Sequence, residues 1–298
     1  MSEELFDAAV RLEEAGQLDR ALPLWRQLAK SDPTRNVFLR LANITEDLGL
    51  TAEAESAFKR ALEIDNRSTV ALIGLGSLAI DRRDFETAAG YLEKACEIEE
   101  EPCGLSLLGV ALQNTAKDID AEQAYRRAIQ IDPKYEEAYY NLGVLLRHSR
   151  PLEAQALFLT ALELDPNYAC AYRELGYSLR ARGAEPETAG PEAAEPDAER
   201  YLRKAIELDA EDAWAHIYLG TLLWLHADVQ GARAEFQTAA DLQPDWAVPQ
   251  WSLGNLYEHA LQDSEVAEDY FKQALNVEPN SEVALNCLNR LRENRNHS

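Results

Sequence analysis

The sequence predicts an all-α protein built as a linear array of helix pairs. Three observations carry the prediction: one short phrase recurs along the chain, its copies are 33 to 35 residues apart with one exception of 44, and the apolar residues within each copy fall at helical rather than strand intervals.

The phrase reads LWRQLAKSDP at 24–33, AFKRALEIDN at 57–66, YLEKACEIEE at 91–100, AYRRAIQIDP at 124–133, LFLTALELDP at 157–166, YLRKAIELDA at 201–210, EFQTAADLQP at 235–244 and YFKQALNVEP at 270–279. One slot in it is held by Leu28, Ala61, Ala95, Ala128, Ala161, Ala205, Ala239 and Ala274. Upstream of the later copies lies a leucine followed by glycine, as in Leu75-Gly76, Leu108-Gly109, Leu142-Gly143, Leu175-Gly176, Leu219-Gly220 and Leu253-Gly254. Large residues three places before and four after that leucine, as in Tyr139, Leu142 and Leu146, give a second amphipathic helix. Each of eight units is therefore a helix A followed by a helix B.

Each recurrent residue type has a mechanical reason. Two helix axes approach closely only where neither contributes bulk, so Gly143 is expected to face Ala154. The aromatic slot of Trp25, Phe58, Tyr125, Phe158, Phe236 and Phe271 is expected to fill the space between successive units. Pro33, Pro133, Pro166, Pro244 and Pro279 follow helix B, where a missing N–H stops the helix.

The exceptional spacing comes from GAEPETAGPEAAEP at 183–196, inside the sixth unit. Its composition predicts a mobile acidic loop. A tolerated insertion is the favoured reading, with a lid or docking segment as the alternative. The array is expected to span 2–281, with a polar capping helix and short tail at 282–298. The first unit has nothing before it to cover its face, which leaves self-association through that end open, although a monomer is expected.

On these residues the chain resembles the tetratricopeptide repeat family over nearly its whole length. The resemblance implies a right-handed superhelical α-solenoid whose A helices line a concave groove. Slots 4, 7, 8 and 11 of helix A would pack internally, and slots 2, 5, 9 and 12, about 100° around the helix, would line the groove. In the N-terminal units that face carries Phe6, Val10, Leu39, Asn43, Ile73, Ser77, Ser106 and Val110. From the fifth unit onward it carries Tyr140, Arg147, Arg173, Tyr177, Arg180, Trp214, Trp224, Trp251 and Asn255. Trp, Tyr and Arg dominate binding hot spots, so these nine are the candidate partner-binding residues. Two structural roles compete: Trp214 could pack adjacent units, and Arg147 and Arg180 could pair with neighbouring carboxylates.

The family's two-carboxylate clamp, which holds the C-terminal carboxylate of heat-shock chaperones, needs Lys, Asn and Arg at fixed slots. Here Asn141 fits, but Ser106, Val110, Cys170 and Glu174 occupy the flanking positions. A clamp-type co-chaperone is disfavoured.

A formal net charge of -24 and a pI near 4.6 repel phosphate backbones and anionic membranes. Neither nucleic acid nor membrane is an expected partner, and the acidity is read first as solubility and second as attraction for a basic protein. MSEELFDAAV lacks the basic start and apolar run of a signal peptide, and no segment reads as membrane-spanning. Cys96, Cys103, Cys170 and Cys287 show no C-x-x-C spacing, consistent with reduced thiols in a cytoplasm.

No chemistry emerges from the motifs. His148, His216, His226, His259 and His297 lack metal-ligand spacing, and His216 sits in a core slot where packing is its expected role. There is no phosphate loop or nucleophile elbow, and no cofactor is expected. The expected function is a non-catalytic scaffold holding an extended segment or helix of a protein partner in its groove. The alternatives are an acidic neutralising partner of a basic effector and a substrate-selecting subunit of an enzyme complex.

Overall fold

The computed structural model describes residues 2–183 and 195–296; the side chains at 2, 180–183, 195–196 and 292–296 lie outside the described set. Seventeen α-helices and no strand occur among the described residues. They fall into two compact units, 1–145 and 146–298. The first contains α1 (Ser2–Glu14), α2 (Leu18–Ser31), α3 (Arg35–Asp47), α4 (Thr51–Ile64), α5 (Thr69–Asp81), α6 (Phe85–Ile98), α7 (Pro102–Asn114), α8 (Asp118–Ile131) and nearly all of α9 (Glu136–Leu146). The second contains α10 (Pro151–Leu164), α11 (Ala169–Gly183), α12 (Glu195–Leu208), α13 (Ala213–Leu225), α14 (Val229–Leu242), α15 (Ala247–His259), α16 (Ser264–Val277) and α17 (Glu282–Asn296).

Within each unit an A helix packs on the B helix that follows it, and that B helix packs on the next A helix. A helices also meet directly, α5 on α7, α11 on α13 and α13 on α15. The two kinds of helix are buried differently as a result. The A helix α13 buries eight of its thirteen residues, whereas the B helix α14 buries four of fourteen. An A helix is enclosed by its own B helix, the preceding B helix and neighbouring A helices, so B-to-A and A-to-A packing together set the relative placement of successive pairs.

Local signals set the helix ends. Thr34, Ser68, Asp84, Asp212, Asp228 and Asp263 each accept a backbone N–H three residues on, satisfying a donor that the first turn leaves free. Pro102 and Pro151 open α7 and α10, where no N–H is needed. Each predicted stop proline lies two residues beyond its B helix: Pro33 after Ser31, Pro133 after Ile131, Pro166 after Leu164, Pro244 after Leu242 and Pro279 after Val277. Helices α11 and α12 end and begin at Gly183 and Glu195, and the acidic insertion, residues 184–194, lies outside the described residues.

The core consists of the repeated small and aromatic slots. Trp25, Phe58, Tyr125, Phe158, Phe236 and Phe271 are at most 1% exposed. Their packing corrects one expectation. The rings do not only fill space between successive pairs; they lie against the glycine of their own pair. A Cβ on Gly109 would come within 2.4 Å of the Tyr125 ring, on Gly220 within 2.7 Å of Phe236, and on Gly254 within 2.5 Å of Phe271. The A-helix glycine therefore accommodates a ring rather than only the small B-helix alanine. Phe58 does bridge onward, since a Cβ on Gly74 of the next A helix would meet it at 2.4 Å. In the third and sixth pairs Leu92 and Leu202 take the aromatic slot, both fully buried.

Candidate partner-binding groove

The second compact unit brings several of the predicted groove residues together. Arg147, just past α9, places Nη1 2.8 Å from Oε2 of Glu174 on α11. Arg173, beside it on α11, contacts Glu174 at 3.2 Å and Asp212 at 2.8 Å. The side chains of Glu174 and Asp212 are only 5% and 6% exposed, and that of Arg173 is 16% exposed. Asp212 also caps α13 through the N–H of Ala215. Two guanidinium groups and two carboxylates thus form a neutral chain across successive A helices.

Removing four charges from bulk water is costly, and the network is tolerated because each carboxylate is met by a cation or a backbone donor. Arg147 and Arg173 are therefore both paired with carboxylates within the fold, the competing role anticipated for Arg147. Arg180 lies on α11, but its side chain is outside the described residues.

An aromatic run lies beside this network. The Arg147 guanidinium carbon sits 5.9 Å from the ring centre of Tyr177, and the Tyr177 ring lies 4.7 Å from that of Tyr218 on α13. Tyr218 lies 5.5 Å from Trp214, which lies 4.5 Å from Trp246, the residue preceding α15. Burial, with Glu174 nearby, pushes the Tyr218 hydroxyl up to about 12, so it remains neutral. Trp214 is 42% exposed, and the other three rings are half-buried. Trp214 thus does pack against the next helix pair, and it also presents a large apolar face to solvent.

The remaining candidates are placed differently. Trp224 packs on the core formed by α13, α14 and α15 and is half-buried. Asn255 is buried, donates to the carbonyl of Trp251 at 2.9 Å and meets the Cys287 thiol at 3.9 Å, so its amide is used within the fold. Trp251 is half-buried among Ala247, Ala274 and Ala284. Tyr140 is half-buried on α9 and belongs to the other compact unit. In that unit Asn141 donates to the Ser106 hydroxyl at 3.1 Å, so the one residue that fitted the clamp pattern binds a neighbouring repeat.

Four contributors to this surface escaped the slot reading: Glu174, Asp212, Tyr218 and Trp246. Glu174 and Tyr218 share slot 6, one place from the slots assigned to the groove. Asp212 and Trp246 immediately precede their helices, where a register counted from the first helical residue does not reach.

Three family models match the chain. One, described as TPR repeat, covers residues 120–147; two, described as tetratricopeptide repeat, cover 6–69 with 196–246 and 250–281. Together they span more than half of it. The chain belongs to the tetratricopeptide repeat family.

Parts of longer proteins are among its relatives. It is 31% identical over 144 residues to the Drosophila melanogaster protein O-mannosyl-transferase Tmtc3, covering 47% of this chain and 15% of that protein. It is 36% identical over 73 residues to the peroxisomal targeting signal receptor of Eremothecium gossypii, covering 24% of this chain and 13% of that one. The matches therefore take in about a seventh of each relative's length.

Among solved structures, the Cut9 and Hcn1 hetero-tetramer of the APC/C aligns with a TM-score of 0.74 at 15% identity, over 96% of this chain and 55% of the other. Human IFIT1 bound to m7Gppp-AAAA aligns with a TM-score of 0.76 at 16% identity, over 98% and 73%. Pseudomonas aeruginosa pilF aligns with a TM-score of 0.61 at 22% identity, over 74% and 96%. These likenesses establish the fold, an all-α solenoid of tetratricopeptide repeats.

Proposed function

We propose that this tetratricopeptide repeat chain is a non-catalytic scaffold that holds an extended segment or helix of a protein partner against the A-helix surface of its C-terminal repeats. The observation that carries the reading is the run Tyr177, Tyr218, Trp214 and Trp246, with Trp214 left 42% exposed beside an internally neutralised ion network. Exposed tryptophan backed by rigid neighbours loses little freedom when it is covered. Because Arg147 and Arg173 are already paired, shape and apolar contact carry the affinity rather than attraction for carboxylates. Binding of a protein segment also accords with the relatives, one of which is a receptor for a targeting signal.

The test is affinity capture from the source cell with mass spectrometry, comparing the wild type with a Trp214→Ala and Tyr177→Ala double variant. Arg173 is left intact because its removal would strip the buried Asp212 of its cation and leave Glu174 with Arg147 alone. Circular dichroism first establishes that the variant is folded. A partner captured by the wild type and lost by the variant supports the reading. Capture that is unchanged in the variant but collapses with added salt assigns binding to the acidic outer surface.

A further inference from the structure

At the far end of the second compact unit, α15, the end of α16 and the start of α17 enclose an open cavity of about 260 Å³. Ala247, Val248, Trp251, Ala274 and Val283 form an apolar wall, while Glu278 and Ser281 supply its polar edge. Drug-sized ligands usually fill roughly 300–1,000 Å³, so this volume suits one large side chain better than a cofactor. Ala247 and Ala274, both buried, contribute only methyl groups to this wall.

Two features of the wall bear on what it could receive. Val283, which lines the cavity, is 54% exposed on α17, so apolar surface of the wall is open to solvent. The indole Nε1 of Trp251 is buried and has no acceptor among the described residues, leaving a donor unused in the wall itself.

Charge selects the guest. Glu278 is exposed, is paired with no cation among the described residues, and immediately follows α16, whose C-terminus carries the negative end of the helix dipole. The chain as a whole carries a formal charge of -24. We infer that this cavity receives a leucine-sized or aromatic side chain from an extended protein segment that carries Lys or Arg next to that anchor, with the cation meeting Glu278. The inference rests on the scaffold reading above but concerns a different part of the surface from the Trp214 run.

The probes are fluorescein-labelled ten-residue peptides with a central Leu or Phe in a Gly/Ser background, flanked by two Arg or by two Glu, titrated with the full chain by fluorescence anisotropy. The Arg-flanked peptide is expected to bind at least tenfold more tightly than the Glu-flanked one. Glu278→Lys should reverse that order, and Val283→Glu should remove binding of either. Both substitutions are at exposed positions, so folding is preserved, with circular dichroism as the check.

Equal affinity for the two peptides, an order unchanged by Glu278→Lys, indifference to Val283→Glu, or absence of binding overturns the inference. So does a dimer, seen by analytical ultracentrifugation, that Val283→Glu dissociates, since the guest is then a second copy. If Trp214→Ala and Tyr177→Ala abolish partner capture while Val283→Glu does not, the scaffold reading stands and this pocket is excluded from it.

Discussion

His216 Nδ1 lies 2.6 Å from Glu235 Oε2, joining α13 to α14 within one repeat. Its other ring nitrogen lies 3.3 Å from the Ala210 carbonyl, so both nitrogens face oxygen. The imidazole is buried in its core slot, in keeping with the packing role expected of it, and is hydrogen-bonded there as well. The bond to Glu235 raises the His216 pKa, burial opposes it, and the Ala210 carbonyl, Glu235 and Asp212 charges add to it.

A pH dependence follows from that sign. The folded value lies above the unfolded value of about 6.5, so the stabilisation is complete below about 6.5 and is lost as pH rises through the folded value. Calorimetry from pH 5.5 to 8.5 should show a decline above about 6.5 that is absent in His216→Gln. Parallel curves for the two proteins would show that the contact does not titrate in this way.

Arg173 is a structural residue of the ion network. Arg173→Ala leaves Asp212 without its cation and Glu174 with only Arg147, and breaking such a buried set costs about 3–5 kcal/mol. Arg147→Ala should cost about 1 kcal/mol, because its side chain is 29% exposed and Glu174 retains Arg173. Urea midpoints measure both, and equal losses would contradict the asymmetry.

Two glycines should respond in opposite directions. Gly109→Ala forces a methyl to within 2.4 Å of the Tyr125 ring and should destabilise by about 1–3 kcal/mol. Gly90→Ala, on α6, meets nothing within 4 Å and should stabilise by about 0.5–1 kcal/mol through helix propensity. Thermal unfolding of the pair separates close approach from mere glycine content.

The turn between α7 and α8 holds a correctable strain. Ala116 has φ 58°, the left-handed conformation that Gly16 and Gly49 adopt at the ends of α1 and α3 with φ 68° and 70°. Ala116→Gly should stabilise by about 1 kcal/mol, since a Cβ is unfavourable there and glycine carries none. An unchanged or lower denaturation midpoint would show that the unfolded-state entropy of glycine outweighs that relief.

Much of the architecture is legible in the residues themselves. Period, Leu-Gly pairs, aromatic slots and stop prolines are local and recur in most of the eight units, so each copy corroborates the others. The same register placed Arg147, Arg173, Tyr177 and Trp214 on one surface. It could not say that the two arginines are already paired, because Glu174 and Asp212 approach them from different helices at separations of 27 and 39 residues. Nor could it find Trp246, which contributes from outside its helix.

By itself, then, the sequence determined the helix pairs, their order and their buried slots, because helix periodicity and capping act over a few residues. Only the tertiary structure decided which charges are neutralised, which ring stays open to solvent, and where a cavity remains beside α17. Those properties depend on distances between side chains from separate repeats, and a repeating pattern sets the register of such side chains without setting the contacts between them.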